Sequence, residues 1–343
     1  MTGDSSVIVD LVAGTLWLVV TLYAVTGGAD FGGGVWDLLA GGDRRGDEPR
    51  QFIDRSIAPV WEANHVWLVI VLVVLWTGFP PAFGDIMTTL FVPLSLAAFG
   101  IILRGSGFAF RAAAVQLRYR RLSGALFALS SLITPFFFGA AAGAVVTGKV
   151  QPGRDRAEIA LWTTPTDLTL GALSVVAFAY LAAVYLTNDA ERHHPALTEY
   201  FRHRAFASGI VAGALAGVAY FELRHSAPHV ADHLTAGAGL GLFVASLVFG
   251  AAVLVALATR RTTGLRYLAA ATFATMLWGW AVAQYPAVLP GTLSLRAAAA
   301  PTASLVAELV VVGVIVLIVV PSFALLYRLA QRGTLGPGHS AHQ

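Results

Sequence analysis

The sequence contains no cysteine, and methionine and lysine are almost as scarce. Without cysteine the chain forms no disulfide, offers no thiolate to a metal or an iron–sulfur cluster, and has no site for covalent c-type haem attachment. Only three methionines are present, and Lys149 is the single lysine among 22 basic residues. The sequence also lacks a phosphate-binding glycine loop, a dinucleotide fingerprint and a nucleophile with a nearby base. The common routes to soluble enzyme chemistry are therefore excluded.

Charge is also scarce, and this sets the class of protein. Charged residues make up 12% of the 343 residues and hydrophobic residues 57%, and the mean hydropathy is +0.72. Several apolar stretches reach the roughly 20 residues that a helix needs to cross a bilayer. The net charge is only +3, and the basic residues are spread through short loops, so we expect no nucleic-acid binding. These features predict one multi-pass membrane domain over residues 1–343 with no soluble domain.

Hydropathy predicts nine transmembrane helices. The first is longer than a bilayer requires, and its glycines predict a break. With the N-terminus outside and the C-terminus in the cytoplasm, cytoplasmic segments hold 17 of the 22 basic residues and outer segments hold 5, which agrees with the positive-inside rule. Small residues in several spans predict close helix crossings. The predicted spans are 7–40, 57–79, 84–110, 122–147, 165–187, 205–222, 234–258, 267–289 and 302–328.

Three consecutive spans carry charge where lipid disfavours it: Asp30, Glu62 and Arg104. A rise of 1.5 Å per residue places them roughly 8 to 15 Å from the cytoplasmic ends of their helices, in one layer of the inner leaflet. One interpretation is a buried ion pair that only orders the bundle. The other, which we favour, is a protonatable entrance from the cytoplasm into a water-lined path, because charges inside the membrane commonly mark functional sites.

Glu62 and His65 also form an E-x-x-H pair, and Glu191 and His194 form a second copy. Two such copies on facing helices hold two irons in some bundle proteins. The second copy lies in a polar loop next to Pro195, however, and the two further glutamates of such a centre are absent. We therefore predict no metal site. From the residues alone, the chain is either a proton-coupled secondary transporter or a respiratory subunit.

Three motifs, in order on three successive spans, resemble a known family: AVTGGADFGGG (24–34), RSIAPVWEANHVWL (55–68) and ILRGSGFAFR (102–111). They are similar to subunit II of the cytochrome bd quinol oxidases. The later stretches YPAVLPGTLSLRAAAAPTASL (285–305) and IVVPSFALLYR (318–328) also resemble the last two helices of that subunit. The likeness covers nearly the whole chain, although over 112–280 it depends mainly on the number of spans.

The resemblance implies an all-α fold with a first four-helix bundle over 1–147, a second over 165–289 and one peripheral helix over 302–328. It implies a bacterial inner-membrane heterodimer with subunit I, which carries haem b and haem d and binds quinol. The complex oxidises quinol and reduces dioxygen to water with protons taken from the cytoplasm. This chain would have no catalytic residue, ligate no cofactor and be inactive alone. Small single-span accessory subunits and a structural quinone or lipid are further expected partners.

The resemblance also implies roles for individual residues. Glu62 and Asp30 match acidic positions linked to proton access, Arg104 matches the intramembrane arginine of a structural charge pair, and Trp67 matches a position on an oxygen route. Trp61 and Asn64 complete the second-helix motif. This chain has Glu-Ala-Asn-His where the family usually has Asp-Gly-Asn-Gln, so His65 adds a group that titrates near neutrality and joins the predicted proton path. The first motif lacks a second acidic residue that the family often has.

Overall fold

The computed structural model describes residues 2–41, 43–57, 61–113, 117–153 and 157–331, which are almost entirely α-helical. Two short 3-10 turns (Ile159–Leu161 and Pro195–Leu197) and a two-stranded antiparallel hairpin, β1 (Ala287–Leu289) with β2 (Leu293–Ser294), complete the secondary structure. The helices are α1 (Thr2–Leu38), α2 (Asp43–Ile57), α3 (Trp61–Gly78), α4 (Pro80–Thr89), α5 (Phe91–Ala113), α6 (Leu117–Val146), α7 (Pro165–His193), α8 (Thr198–Ser226), α9 (Pro228–Leu234), α10 (Gly237–Ala258), α11 (Leu265–Gln284), α12 (Leu295–Ala298) and α13 (Thr302–Gln331).

Six helices in the described part of the chain are long and apolar enough to cross a membrane: α1, α6, α7, α8, α10 and α13. A seventh candidate is the pair α3 and α4, which bend by 118° at Phe79. The described apolar part of α5, Phe91–Gly107, is shorter. A multi-pass all-α membrane protein is thus confirmed. The number of nine spans, the division into two bundles and the sides of the termini stay predictions.

The expected break in the first span was wrong. α1 is continuous from Thr2 to Leu38 and passes through its glycine-rich stretch without interruption. Glycine weakens an isolated helix by about 1 kcal/mol per residue because it restrains the backbone little. Tertiary packing offsets this cost here, since the glycine face of α1 lies against α7.

The close approach of α1 to α7 depends on Gly32. A Cβ atom at this position would overlap the main-chain carbonyl of Phe178, so a larger residue would force the two helices apart. One turn further along α1, the Trp36 indole Nε1 donates a hydrogen bond to the carbonyl of Ala179 at 2.7 Å. The expectation that small residues serve close helix crossings is confirmed at this junction.

Two main groups of buried side chains form the core. One lies around α7 and α8 and includes Leu181, Phe201 and Leu257, and the other lies around α1 and α3 and includes Val12 and Val74. The amphipathic helix α2 packs on the first of these groups through Phe52 and Ile53, while its polar residues face outward. Because α1 contacts α3, α6 and α7, it joins both parts of the molecule and holds the polar residues described below.

Candidate functional site

Asp30 lies on α1 at the crossing with α3, and its side chain is buried. Its Oδ2 accepts a hydrogen bond of 2.5 Å from Nδ2 of Asn64, a fully buried residue of α3. The same amide nitrogen lies 3.3 Å from the carbonyl of Thr26, one turn before Asp30. A neutral amide thus fixes the carboxylate between the two helices.

Arg104 of α5 reaches the same crossing and is the largest fully buried side chain in the described residues. Its guanidinium donates 2.5 Å hydrogen bonds to the main-chain carbonyl of Asp30 and to Oγ of Ser131 on α6. Its charge also lies over two aromatic rings, 4.4 Å from the centroid of Phe127 and 4.9 Å from that of Phe31. Such contacts compensate part of the cost of burying the cation.

Gly34 explains how Arg104 reaches a helical carbonyl. A side chain on an α-helix covers the turn before its own Cα, so a residue at position 34 would lie over the carbonyl of Asp30. A Cβ atom at Gly34 would overlap the Ser131 hydroxyl and stand 2.6 Å from the Ser131 Cβ. The glycine therefore admits both the guanidinium and the serine that orients it.

The described ion pairs include none between the Asp30 carboxylate and Arg104. The arginine lies near enough to act on the charge of Asp30, but the hydrogen bonds described here join it to the main chain and to a hydroxyl. Asp30 is thus near a fixed positive charge without being held by it.

His65 and Trp67 continue this site along α3. The His65 ring lies between two aromatic side chains of α1, with centroids 6.4 Å from Tyr23 and 6.2 Å from Phe31. Trp67 is buried and packs on Phe323 of α13 at 5.5 Å between centroids. The side chains of Trp61 and Glu62, the first two residues of α3, lie outside the described residues.

The structure also brings in residues that the sequence analysis did not select. The Arg104 guanidinium is surrounded by Ser131, Phe31 and Phe127. The only sequence signal for these three residues is that they lie in apolar spans. Asp167 is fully buried, and its Oδ2 lies 2.6 Å from Nζ of Lys149. The sequence alone does not show that Lys149 and Asp167 pair, because the contact depends on how the loop between them folds.

Glu308 is a further buried acid, near the first turns of α13. Neither of its carboxylate oxygens has a hydrogen-bond partner among the described residues, and its side chain packs where α13 meets α1 and α3. It lies near the opposite end of α3 from Asn64, so it does not share the Asp30 site.

The described residues contain no group of three or more His, Cys, Asp or Glu side chains arranged to hold a metal ion. A cavity of about 400 Å³ lies elsewhere, between α1 and α11, and its lining is mainly apolar. Trp17, Trp280 and Tyr285 form part of its wall, and Asp10 and Gln284 are among its few polar residues. It has the chemistry of a site for an apolar molecule, and the expected structural quinone or lipid stays a prediction.

Comparison with known proteins gives a family match over nearly the whole chain. The family model described as cytochrome bd terminal oxidase subunit II matches residues 8–330. The chain is also similar to a chain in the structure of bd oxidase from Geobacillus thermodenitrificans, with a TM-score of 0.74 and 23% identity. That likeness covers 94% of this chain and 98% of the other. At this identity it shows the fold alone.

Curated relatives match over shorter segments. Subunit 2 of the cytochrome bd-I ubiquinol oxidase of Escherichia coli strain K12 is 29% identical over 136 residues, which are 38% of this chain and 35% of that protein. Subunit 2 of the cytochrome bd ubiquinol oxidase of Bacillus subtilis strain 168 is 26% identical over 129 residues, 36% of this chain and 37% of that one. A putative cytochrome bd menaquinol oxidase subunit II of the same organism is 31% identical over 93 residues, 27% of this chain and 26% of that one. The matched segments span only about a third or less of each relative.

Proposed function

We propose a function that starts from the family: the chain belongs to the cytochrome bd terminal oxidase subunit II family. It is a multi-pass protein of the bacterial inner membrane. In this proposal it is subunit II of a terminal quinol oxidase and supports a haem-bearing subunit I. The complex oxidises quinol and reduces dioxygen to water, and this chain alone has no activity. The names of the relatives include both ubiquinol and menaquinol, so the proposal extends only to a quinol.

The specific role proposed for this chain is to admit protons from the cytoplasm. The observation that carries it is the buried Asp30 carboxylate, which accepts a hydrogen bond from Asn64 and lies beside the Arg104 guanidinium. An ionisable group in a transmembrane helix is costly and is usually retained for function. A carboxylate that accepts from a neutral amide keeps its capacity to exchange protons, whereas a closed ion pair would resist protonation. Glu62 and His65 are the further members of the proposed path.

The proposal assigns the remaining groups as follows. Haem b and haem d belong to subunit I, and no residue of this chain ligates iron. Arg104 is structural, because its donors hold α5 and α6 against the main chain of α1. Trp67 lies on an apolar route for dioxygen, in agreement with its packing on Phe323. Small accessory subunits are further proposed partners. A proton-coupled transporter is not favoured, because the family model of an oxidase subunit matches residues 8–330.

The test is oxygen consumption driven by quinol in the purified complex. Asp30→Asn and Glu62→Gln keep the size and hydrogen bonding of each side chain but remove the titratable group. We expect both variants to assemble with normal haem content and to lose at least about tenfold in turnover, which corresponds to roughly 1.4 kcal/mol on the limiting step. Glu62→Asp should retain much of the activity because only the reach is shortened. Asp232→Asn, an exposed outer residue, is the control.

The same variants separate a proton path from a structural charge. If the two acids lie on one path, the double variant is little slower than either single variant. Full turnover in an assembled Asp30→Asn or Glu62→Gln complex would remove that residue from the path. Failure of Glu62→Gln to assemble would instead favour an ion pair that orders the bundle, because an unpaired buried arginine costs several kcal/mol.

A further inference from the structure

Among the residues that the structure describes, three buried polar atoms on α1 and α3 have no hydrogen-bond partner; we call the contact between these two helices the α1–α3 seam. They are the hydroxyl of Tyr23, Oδ1 of Asn64 and Nε1 of Trp67, and all three side chains are at least nine-tenths buried. Leaving a buried polar group unsatisfied costs about 1–3 kcal/mol, so such groups usually bind ordered water. Three of them on one seam indicate an internal site for water.

Tyr23 is placed so that its ring follows α1 toward Asp30. A Cβ atom at Gly27, one turn further along, would stand 2.9 Å from Cε2 of the Tyr23 ring, so the ring occupies the space that the glycine leaves free. The His65 ring of α3 lies near the Tyr23 ring, with 6.4 Å between the two ring centroids. The phenol and the Asp30 carboxylate are close enough to influence each other electrostatically.

Asn64 lies between these two groups. Tyr23 and Asp30 are seven residues apart on α1, which corresponds to roughly 10 Å along the helix axis. The structure shows no direct hydrogen bond between their side chains, since the Tyr23 hydroxyl has no partner among the described residues. The Asn64 amide nitrogen reaches both Asp30 and the carbonyl of Thr26, and Thr26 is at the turn that separates Tyr23 from Asp30. The remaining oxygen of this amide, Oδ1, is buried without a hydrogen-bond partner among the described residues, so it can accept a hydrogen bond from water.

We propose that Tyr23 is a further residue of the proton path and is joined to Asp30 through water bound at Asn64. In each transfer Asp30 protonates the bridging water, this water gives a proton to the phenol oxygen, and the O–H proton of the phenol passes to a second water molecule on its other side. Asp30 is left as a carboxylate that takes up a new proton from the cytoplasmic side. No bond other than O–H changes, and the phenol ends as it began. Asn64 is a positioning residue, because it orients Asp30 and the bridging water without taking up a proton itself. This inference rests on the proposed function.

The experiment compares Tyr23→Phe with Tyr180→Phe, a buried tyrosine of α7, in the complete oxidase complex. Both changes keep the ring and remove only the hydroxyl. We expect Tyr23→Phe to assemble with unchanged haem bands, to lose at least about threefold in oxygen consumption and to show a larger solvent isotope effect, because a proton step becomes slower. Tyr180→Phe should match the wild type in both measurements. Unchanged turnover and isotope effect in Tyr23→Phe would overturn the inference.

A second measurement does not depend on any variant. A cryo-EM map of the wild-type complex, at a resolution that shows ordered water, should contain density within hydrogen-bond distance of both Tyr23 Oη and Asn64 Oδ1. A seam without water would refute the inference even if Tyr23→Phe failed to assemble. The proposed function fails separately: if Asp30→Asn is slow and Tyr23→Phe is not, only the role of Tyr23 is lost, whereas full activity of Asp30→Asn removes the path.

Discussion

Gly34 gives the sharpest quantitative test of how the site is built. Gly34→Ala places a methyl group where the Ser131 hydroxyl lies and 2.6 Å from the Ser131 Cβ. Overpacking of this kind costs about 1–3 kcal/mol, and displacing Ser131 breaks its hydrogen bond to the buried Arg104 cation, which is worth about 1.5–3 kcal/mol. Alanine recovers about 1 kcal/mol through its higher helix propensity. The expected net loss in the free energy of unfolding is therefore about 1.5–5 kcal/mol.

Gly14 supplies a matched control on the same helix. No atom lies within 4 Å of a Cβ built at Gly14, so Gly14→Ala should be neutral or stabilise the protein by up to about 1 kcal/mol. The measurement is SDS-driven unfolding of the purified complex in mild detergent, followed by circular dichroism and haem absorbance. Equal stability of the Gly34→Ala and Gly14→Ala variants would refute the close contact of Gly34 with Ser131.

Ser131 completes a double-mutant cycle with Gly34. Ser131→Gly removes the atoms that the new methyl group would meet, at the cost of the hydrogen bond to Arg104. The double variant Gly34→Ala/Ser131→Gly should then be no less stable than Ser131→Gly alone, with a coupling free energy of about 1–3 kcal/mol. Additive losses in this cycle would show that the two residues act independently, contrary to the geometry.

Two further predictions concern topology and haem ligation. Cysteine introduced at Gln151 in this cysteine-free chain should react with an impermeant maleimide in intact cells, because the positive-inside rule places 148–164 outside; labelling only after lysis would reverse the orientation or change the number of spans. His65→Ala should leave every haem band of the assembled complex in place, because the proposal puts all haem ligands in subunit I; loss of one band with assembly intact would make His65 a ligand.

The sequence predicts the membrane class and the participants better than it predicts their contacts. Asp30, Asn64 and Arg104 were all selected from the sequence because polar groups are conspicuous in apolar spans. Their contacts were not predictable: Arg104 donates to the main-chain carbonyl of Asp30, and the Asp30 side chain accepts from an amide. A carbonyl leaves no mark in a sequence. The carbonyl of Asp30 can accept a hydrogen bond because Gly34, four residues later, has no side chain to cover it.

Helix continuity shows the same limit. The low helix propensity of glycine predicted a break in α1, and glycine does disfavour a helix. What reversed the outcome was the surface of α7, where Gly32 faces the Phe178 carbonyl, and this surface lies about 145 residues further along the chain. Tyr23 was overlooked for a related reason. From the sequence, an aromatic residue in a span is expected to face lipid or to pack in the core. The structure shows instead that the Tyr23 ring lies against Gly27.

Helix packing and the position of Asp30 therefore depend on one helix, α1. The face of α1 that packs on α7 belongs to the same glycine-rich motif as Gly34, which lies against Ser131, a hydrogen-bond partner of Arg104. The Arg104 guanidinium donates a hydrogen bond to the carbonyl of Asp30 and fixes its backbone. Asn64 fixes the Asp30 side chain from α3. The carboxylate is thus held from two directions by groups that do not neutralise it. Small residues that look purely structural therefore position the acid for which we propose a role in proton transfer.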